Sequence, residues 1–128
     1  MAFLPKFASP PWDYTSLTYN LSMYTVIETP TFRRLWPNYW TERERGEFAA
    51  FIAQNPEAGE VVRDSGGVRK VRWTRAGSEK FGGVRVIYYN RLANGQVWLL
   101  FIYAKSALDS IAGHKLKELK DAIENAHV

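Results

Sequence analysis

Residues 84–103, Val84-Arg85-Val86-Ile87-Tyr88-Tyr89-Asn90-Arg91-Leu92-Ala93-Asn94-Gly95-Gln96-Val97-Trp98-Leu99-Leu100-Phe101-Ile102-Tyr103, decide the fold. Two runs rich in β-branched and aromatic residues, Val84–Arg91 and Val97–Tyr103, flank Asn94-Gly95, a strong signal for a tight antiparallel turn. A third strand-like run, Val68–Thr74, comes before them, after Gly66-Gly67. Its link to Val84 contains Gly77, Gly82 and Gly83 and reads as a loose hairpin. Three consecutive strands joined in this way make an antiparallel meander.

Working upstream, Tyr24–Thr29 is a short β-branched strand. Pro30 suits a first helical position, and Phe32, Leu35 and Trp36 form one helical face before Pro37 interrupts it. Thr41 followed by Glu44 reads as a capping box for a second helix, with Phe48, Phe51 and Ile52 inward and Asn55-Pro56 as its stop. Downstream, a third helix is predicted over about 112–126, with Leu116, Leu119 and Ile123 inward. The order β-α-α-β-β-β-α gives an α+β domain: an antiparallel meander with helices packed on one face and a C-terminal helix. The first strand needs its own partner in that sheet.

A chain of 128 residues fits one domain. Residues 1–22 read apart from the rest, as an irregular extension of Pro, Ser, Thr and scattered aromatics without period. Either they wrap over a groove or a partner, or Met23 is a usable start and the domain is 23–128. The second reading is favoured. There is no cysteine, which excludes a disulfide scaffold, Cys-ligated metal and thiol catalysis. With only His114 and His127, a His-based metal site is not expected either. The longest apolar run, 97–104, is too short to span a bilayer, which needs about 20 residues, and no signal-peptide pattern opens the chain. A cytoplasmic domain with no membrane association is the expectation.

The net charge of +4 is unevenly placed. Residues 61–91 hold Arg63, Arg69, Lys70, Arg72, Arg75, Lys80, Arg85 and Arg91 against Asp64 and Glu79, a local net of +6. Such a concentration points to a polyanionic partner, although a solvated charged face would look the same. Strand period puts Lys70 and Arg72 on one face and Val71 and Trp73 on the other. Lys80 falls in the loop, Arg85 follows the glycine pair, and Lys105 follows the last strand. Cations at neighbouring strand ends can converge, because adjacent strands lie about 4.8 Å apart. Trp73, Trp98 and Phe101 read as core, and Trp36–Trp40 as an aromatic surface that a partner could bury.

Three pieces of the chain resemble the RelE/HigB toxin superfamily, most closely its HigB-like branch. They are Gly66-Gly67-Val68-Arg69-Lys70-Val71-Arg72, then Lys80-Phe81-Gly82-Gly83-Val84-Arg85-Val86-Ile87-Tyr88-Tyr89, then Leu100-Phe101-Ile102-Tyr103-Ala104-Lys105. The resemblance covers about residues 24–124. It implies the toxin of a type II toxin–antitoxin pair: a metal-independent endoribonuclease, without cofactor, that cleaves mRNA on the ribosome and is neutralised by an HTH-type antitoxin. Carried over residue by residue, Lys70 and Arg72 match the basic pair on the central strand, and Arg85 matches the arginine after the glycines. These three are the candidate catalytic residues. Arg69, Lys80 and Lys105 are the candidate RNA-binding residues.

Two positions depart from the better-known members. Ser106 stands where an arginine would follow the lysine, and Ala112 falls about where a tyrosine would take part in proton transfer. RNA supplies its own nucleophile, the 2′-OH, so a protein must align it, move two protons and stabilise a phosphorane. Lys70 is expected to exchange protons, Arg85 to clamp the scissile phosphate with Arg72 in support, and Lys80 and Lys105 to hold flanking phosphates. Two other readings remain open at the level of sequence. One is a gyrase-inhibiting toxin of the ParE type, and the other a catalytically inactive RNA- or protein-binding module on the same fold.

Overall fold

The computed structural model describes residues 24–74, 83–107 and 111–126. Residues 1–23, the 75–82 link with Lys80, and His127 lie outside them. Among the described residues five strands form one sheet: β1 (Thr25–Glu28), β2 (Glu60–Val61), β3 (Arg69–Trp73), β4 (Val84–Arg91) and β5 (Gln96–Ala104). Among the described residues three α-helices accompany it, α1 (Pro30–Leu35), α2 (Glu42–Gln54) and α3 (Gly113–Ala126). The spatial order is β1-β5-β4-β3-β2. β3, β4 and β5 make the expected antiparallel meander. β1 finds its partner by running parallel to β5, and the two-residue β2 extends the other edge.

Both faces of the sheet are covered. Phe32, Trp40, Phe48 and Ile52, from α1, α2 and the turn between them, pack on Val71, Val86, Tyr88, Val97, Leu99 and Ile102. On the opposite face Leu116 of α3 packs with Val68, Ile87, Trp98, Leu100 and Tyr103. The first two helices thus share a face as expected, and the C-terminal helix takes the other. The physical reason lies in β4 and β5, which are apolar at successive positions and must be shielded on both sides. Trp40 is core, tilted against Phe48 at 5.1 Å between ring centroids, so the aromatic surface expected at 36–40 shrinks to Trp36 and Tyr39.

Local chemistry fixes the ends of these elements. Thr41 and Glu44 form the capping box in full, with Glu44 N–H donating to Thr41 Oγ1 at 3.2 Å and Thr41 N–H to Glu44 Oε1 at 2.8 Å. The hairpin between β4 and β5 closes through a 3₁₀ turn, Leu92–Asn94, and Gly95 at φ +70°. A β-bulge interrupts the β4–β5 ladder: Ile87 pairs with Phe101 but Tyr88 pairs with Leu99, leaving Leu100 extra. Thr29 secures the bulge. Its hydroxyl donates toward Leu99 O at 3.0 Å and Leu100 O at 3.2 Å, while its oxygen accepts from Phe32 N–H as the N-cap of α1. One threonine therefore ties β1, the bulge and the first helix together, a group of bonds worth about 1–2 kcal/mol.

Candidate nucleic-acid interface

Cross-strand register sorts the expected site residues by face. Arg72 on β3 stands directly opposite Arg85 on β4, and Arg85 stands opposite Tyr103 on β5. Lys70 pairs with Ile87, which pairs with Phe101. Ile87, Phe101 and Tyr103 all belong to the face that α3 partly covers. Lys70, Arg72 and Arg85 therefore emerge on that same face, with Lys70 two residues, or about 7 Å, along the strand from Arg72. Arg72 is exposed, and Lys70 and Arg85 are half-buried.

Lys105 lies at the same end of the sheet as the arginine pair. Its amide donates to Gly83 O at 3.4 Å, one step beyond the Val84–Ala104 pair, and its side chain is exposed. Gly83 has to be glycine here. Its φ is +79°, and a Cβ would stand 2.4 Å from Thr74 Oγ1. The close approach brings the start of β4 against the end of β3 and so sets Arg85 beside Arg72. Lys80 lies outside the described residues.

Arg69 sits elsewhere. It is opposite Tyr88, on the α1–α2 face, and its Nη1 donates to Gly59 O at 2.6 Å and Glu57 O at 3.5 Å. Its charge anchors the loop before β2 and does not flank Lys70 on the shared surface.

The electrostatics of the Arg72–Arg85 pair are unusual for a structural feature. Like charges directly opposite on adjacent strands destabilise a sheet. Among the described residues no carboxylate forms an ion pair with Lys70, Arg72 or Arg85; Glu60 is opposite Lys70 in register, yet the two make no ion pair. Arg85 Nη1 is buried with no hydrogen-bond partner among the described residues. A buried guanidinium nitrogen without an acceptor costs stability unless an anion arrives. By contrast Arg45, on α2, is fully engaged: it grips Glu28 bidentately at 2.7 and 2.8 Å, bonds Glu42 at 2.9 Å and lies 4.8 Å over Trp36. The Glu28 hydrogen bonds hold its guanidinium above its ordinary pKa. Arg45 is a clamp between α2 and β1, whereas among the described residues Arg72 and Arg85 have no such ion pair.

Three tyrosines lie near the basic strands, and the structure separates them. Tyr88 is fully buried; its OH donates to Pro56 O at 2.8 Å and accepts from Gly59 N–H at 2.8 Å. Burial pushes its pKa up, so it is a structural post. Tyr89 donates to Glu124 Oε2 of α3 at 2.5 Å, and Lys120 lies 5.4 Å from its ring centre. Burial and the Glu124 carboxylate raise the Tyr89 phenol to about 12. Tyr103 alone shares a rung with the arginines, a position visible in sequence only to a reader who already knows the β4–β5 register. His114 is exposed on α3.

The Tyr89–Glu124 bond makes α3 docking pH-dependent. The Tyr89 hydrogen bond lowers the Glu124 pKa, so that stabilisation is present above the usual carboxylate range and is lost as pH falls through the lowered value. The raised Tyr89 pKa gives stability that is complete below about pH 10 and lost toward about 12. Hydrogen exchange of the α3 amides is therefore expected to be slowest between about pH 5 and 10 after correction for intrinsic rates. Tyr89→Phe should flatten the profile at both ends. An unchanged profile in the variant would assign the docking to Leu116 alone.

Among the described residues no cluster of three or more His, Asp or Glu is placed to hold a metal, and no helix is long and apolar enough to cross a membrane. No family model matches the chain. The fold is similar to those of two solved structures. One is the free E. coli toxin RelE, in a mutant with two arginines changed to alanine, at 12% identity and a TM-score of 0.51 over 83% of this chain and 99% of that one. Another is a chain of the Mycobacterium tuberculosis RelBE2 toxin–antitoxin complex, at 22% identity and a TM-score of 0.51, covering 64% of this chain and 98% of that one. The architecture is RelE-like.

Proposed function

We propose that this protein is the toxin of a type II toxin–antitoxin pair and acts as a ribosome-dependent endoribonuclease on mRNA in the cytoplasm. One observation carries the reading: two arginines face each other across β3 and β4, one has a buried unpartnered nitrogen, and no carboxylate among the described residues offsets them. A phosphodiester supplies what that arrangement lacks, two anionic oxygens for forked donors. Lys70, about 7 Å along the same face, is placed for the neighbouring phosphate or for proton exchange at the ribose. Lys105 and Lys80 would hold flanking phosphates. Arg69, tied to backbone carbonyls on the other face, is not supported in that role.

In the reaction the 2′-OH loses its proton and its oxygen attacks the adjacent phosphorus. The bond from phosphorus to the 5′-oxygen breaks, and that oxygen takes up a proton. The products are a 2′,3′-cyclic phosphate and a 5′-OH, with no oxidant or metal in the balance. Arg72 and Arg85 stabilise the charge that grows on the phosphoryl oxygens. Lys70 serves one of the two proton transfers. The density of cations argues against the gyrase-directed alternative, whereas Ser106 and Ala112 favour the inactive-module alternative enough to require a test.

Expression of the chain alone should arrest translation within one generation, and primer extension should show new 5′ ends within coding regions. Co-expression of a small HTH protein from the adjacent reading frame should reverse the arrest and co-purify with this chain. RNA binding without new 5′ ends would establish the inactive module.

A further inference from the structure

Cleavage of RNA needs a group that takes the 2′-OH proton, and every site residue named so far is a cation. Among the described residues only two carboxylates lie on strands, Glu28 of β1 and Glu60 of β2. Glu28 is held by Arg45. Glu60 is exposed, and among the described residues it forms no ion pair. It stands directly opposite Lys70 in the antiparallel β2–β3 ladder, so its side chain shares the face on which Arg72 and Arg85 emerge. Opposite Cβ atoms on such strands lie about 5 Å apart. The strand that carries Arg85 is two spacings from Glu60, or about 10 Å.

The residue before Glu60 is pinned from three sides. Gly59 O accepts from Arg69 Nη1 at 2.6 Å, and Gly59 N–H donates to the buried Tyr88 hydroxyl at 2.8 Å. A Cβ on Gly59 would stand 2.7 Å from Lys70 O, so only glycine lets β2 come this close to β3. Arg69, which takes no place on the basic face, thereby fixes where Glu60 enters it. A carboxylate here does not help to hold RNA, since it repels the phosphates that the cations attract. Nor does it serve as the ion-pair partner of Lys70. A base beside the ribose is a use that fits both its charge and its exposure.

We propose that Glu60 is the general base of the cleavage and Lys70 its general acid, an assignment that rests on the ribonuclease reading and completes its proton balance. As the 2′-oxygen attacks phosphorus, its proton passes to the Glu60 carboxylate. As the bond from phosphorus to the 5′-oxygen breaks, that oxygen takes a proton from the Lys70 ammonium. Glu60 ends protonated and Lys70 neutral. The two face each other across paired strands, so the proton returns from Glu60 to Lys70, directly or through water, and both are restored. Glu60 supplies the base and not the in-line alignment, which still falls to the ribosome.

Single-turnover cleavage of mRNA on programmed ribosomes, with the full chain in excess, tests the proposal. Glu60→Gln keeps the shape and removes the base, and its maximal rate should fall at least about 10²-fold. Its binding of RNA should hold or tighten, because a negative charge has left the phosphate surface. Glu60→Asp should be intermediate. Glu57→Gln, which removes the same charge beside the end of α2, should cut at the parent's rate. A substrate with sulfur in place of the leaving 5′-oxygen separates the two roles. A thiol, with an ordinary pKa of about 8.5, leaves as thiolate without a proton donor. Lys70→Ala should regain most of its lost rate on that substrate, and Glu60→Gln none. Equal maximal rates in parent and Glu60→Gln would overturn the assignment and leave the ribonuclease reading intact. So would a loss confined to binding, an equal loss in Glu57→Gln, or recovery of Glu60→Gln on the sulfur substrate. A parent that cuts no mRNA on ribosomes would overturn that reading, and this assignment with it.

Discussion

Lys70→Ala/Arg85→Ala is expected to abolish translation arrest in cells while leaving the protein folded. On the proposed reading each side chain would contribute charge where the phosphorane forms, and loss of one preorganised donor typically costs 10²–10³ in rate. The two together should lower cleavage by roughly 10⁴-fold, below the rate needed to deplete mRNA between rounds of synthesis. Stability should not fall with activity. Arg85 faces Arg72 across the strands and its Nη1 has no acceptor among the described residues, so its removal relieves repulsion and breaks no hydrogen bond of that nitrogen. The melting temperature of the variant should stay within a few degrees of the parent, or rise. Arg85→Lys should be intermediate, since it keeps the charge but loses the fork. A double variant as toxic as the parent would mean that the basic face is not the site.

The second large effect concerns the ribosome. The α3 side of the sheet offers cations for phosphates but few groups that read bases. Trp73 is packed against Phe48 and Phe51, at 5.3 and 5.0 Å between ring centres, and Trp98 is buried. Phosphate contacts position a strand without selecting its sequence. Nothing among the described residues fixes a 2′-OH in line with the leaving oxygen, an alignment that contributes several orders of magnitude to rate. The ribosome would have to supply it. Naked mRNA should therefore be cut at least about 10³-fold more slowly than mRNA on translating ribosomes. The cuts on ribosomes should keep phase with the reading frame. Fast, out-of-phase cutting of purified RNA would place a base-reading site somewhere on this chain.

What could be read from sequence divides along physical lines. β4, β5, the capping box at Thr41–Glu44 and the inward positions Phe48, Ile52 and Leu116 follow from local pattern, and all occur as expected. Pairings between distant segments do not. Nothing local to Tyr24–Thr29 says that β1 runs parallel to β5, and two residues, Glu60 and Val61, carry too little pattern to announce β2. The bulge at Leu100 hid a further point. It puts Leu100 and Phe101 on the same face, so counting by twos along β5 misplaces everything beyond it. Tyr103 therefore joined the arginine rung only once the register was known. For the basic residues, period two was enough to group Lys70 with Arg72, and the same period already sends Arg69 to the other side.

The central claim is that Lys70, Arg72 and Arg85 contact RNA phosphates, and the salt dependence of binding measures this most directly. Each phosphate neutralised on a single strand contributes about −0.7 to the slope of log K against log salt. Binding of a short single-stranded RNA should show a slope near −2 or steeper. Lys70→Ala, Arg72→Ala and Arg85→Ala should each make it shallower by about 0.7, and Arg69→Ala should leave it unchanged. Three single variants with the parent's slope, or a drop confined to Arg69→Ala, would contradict the account.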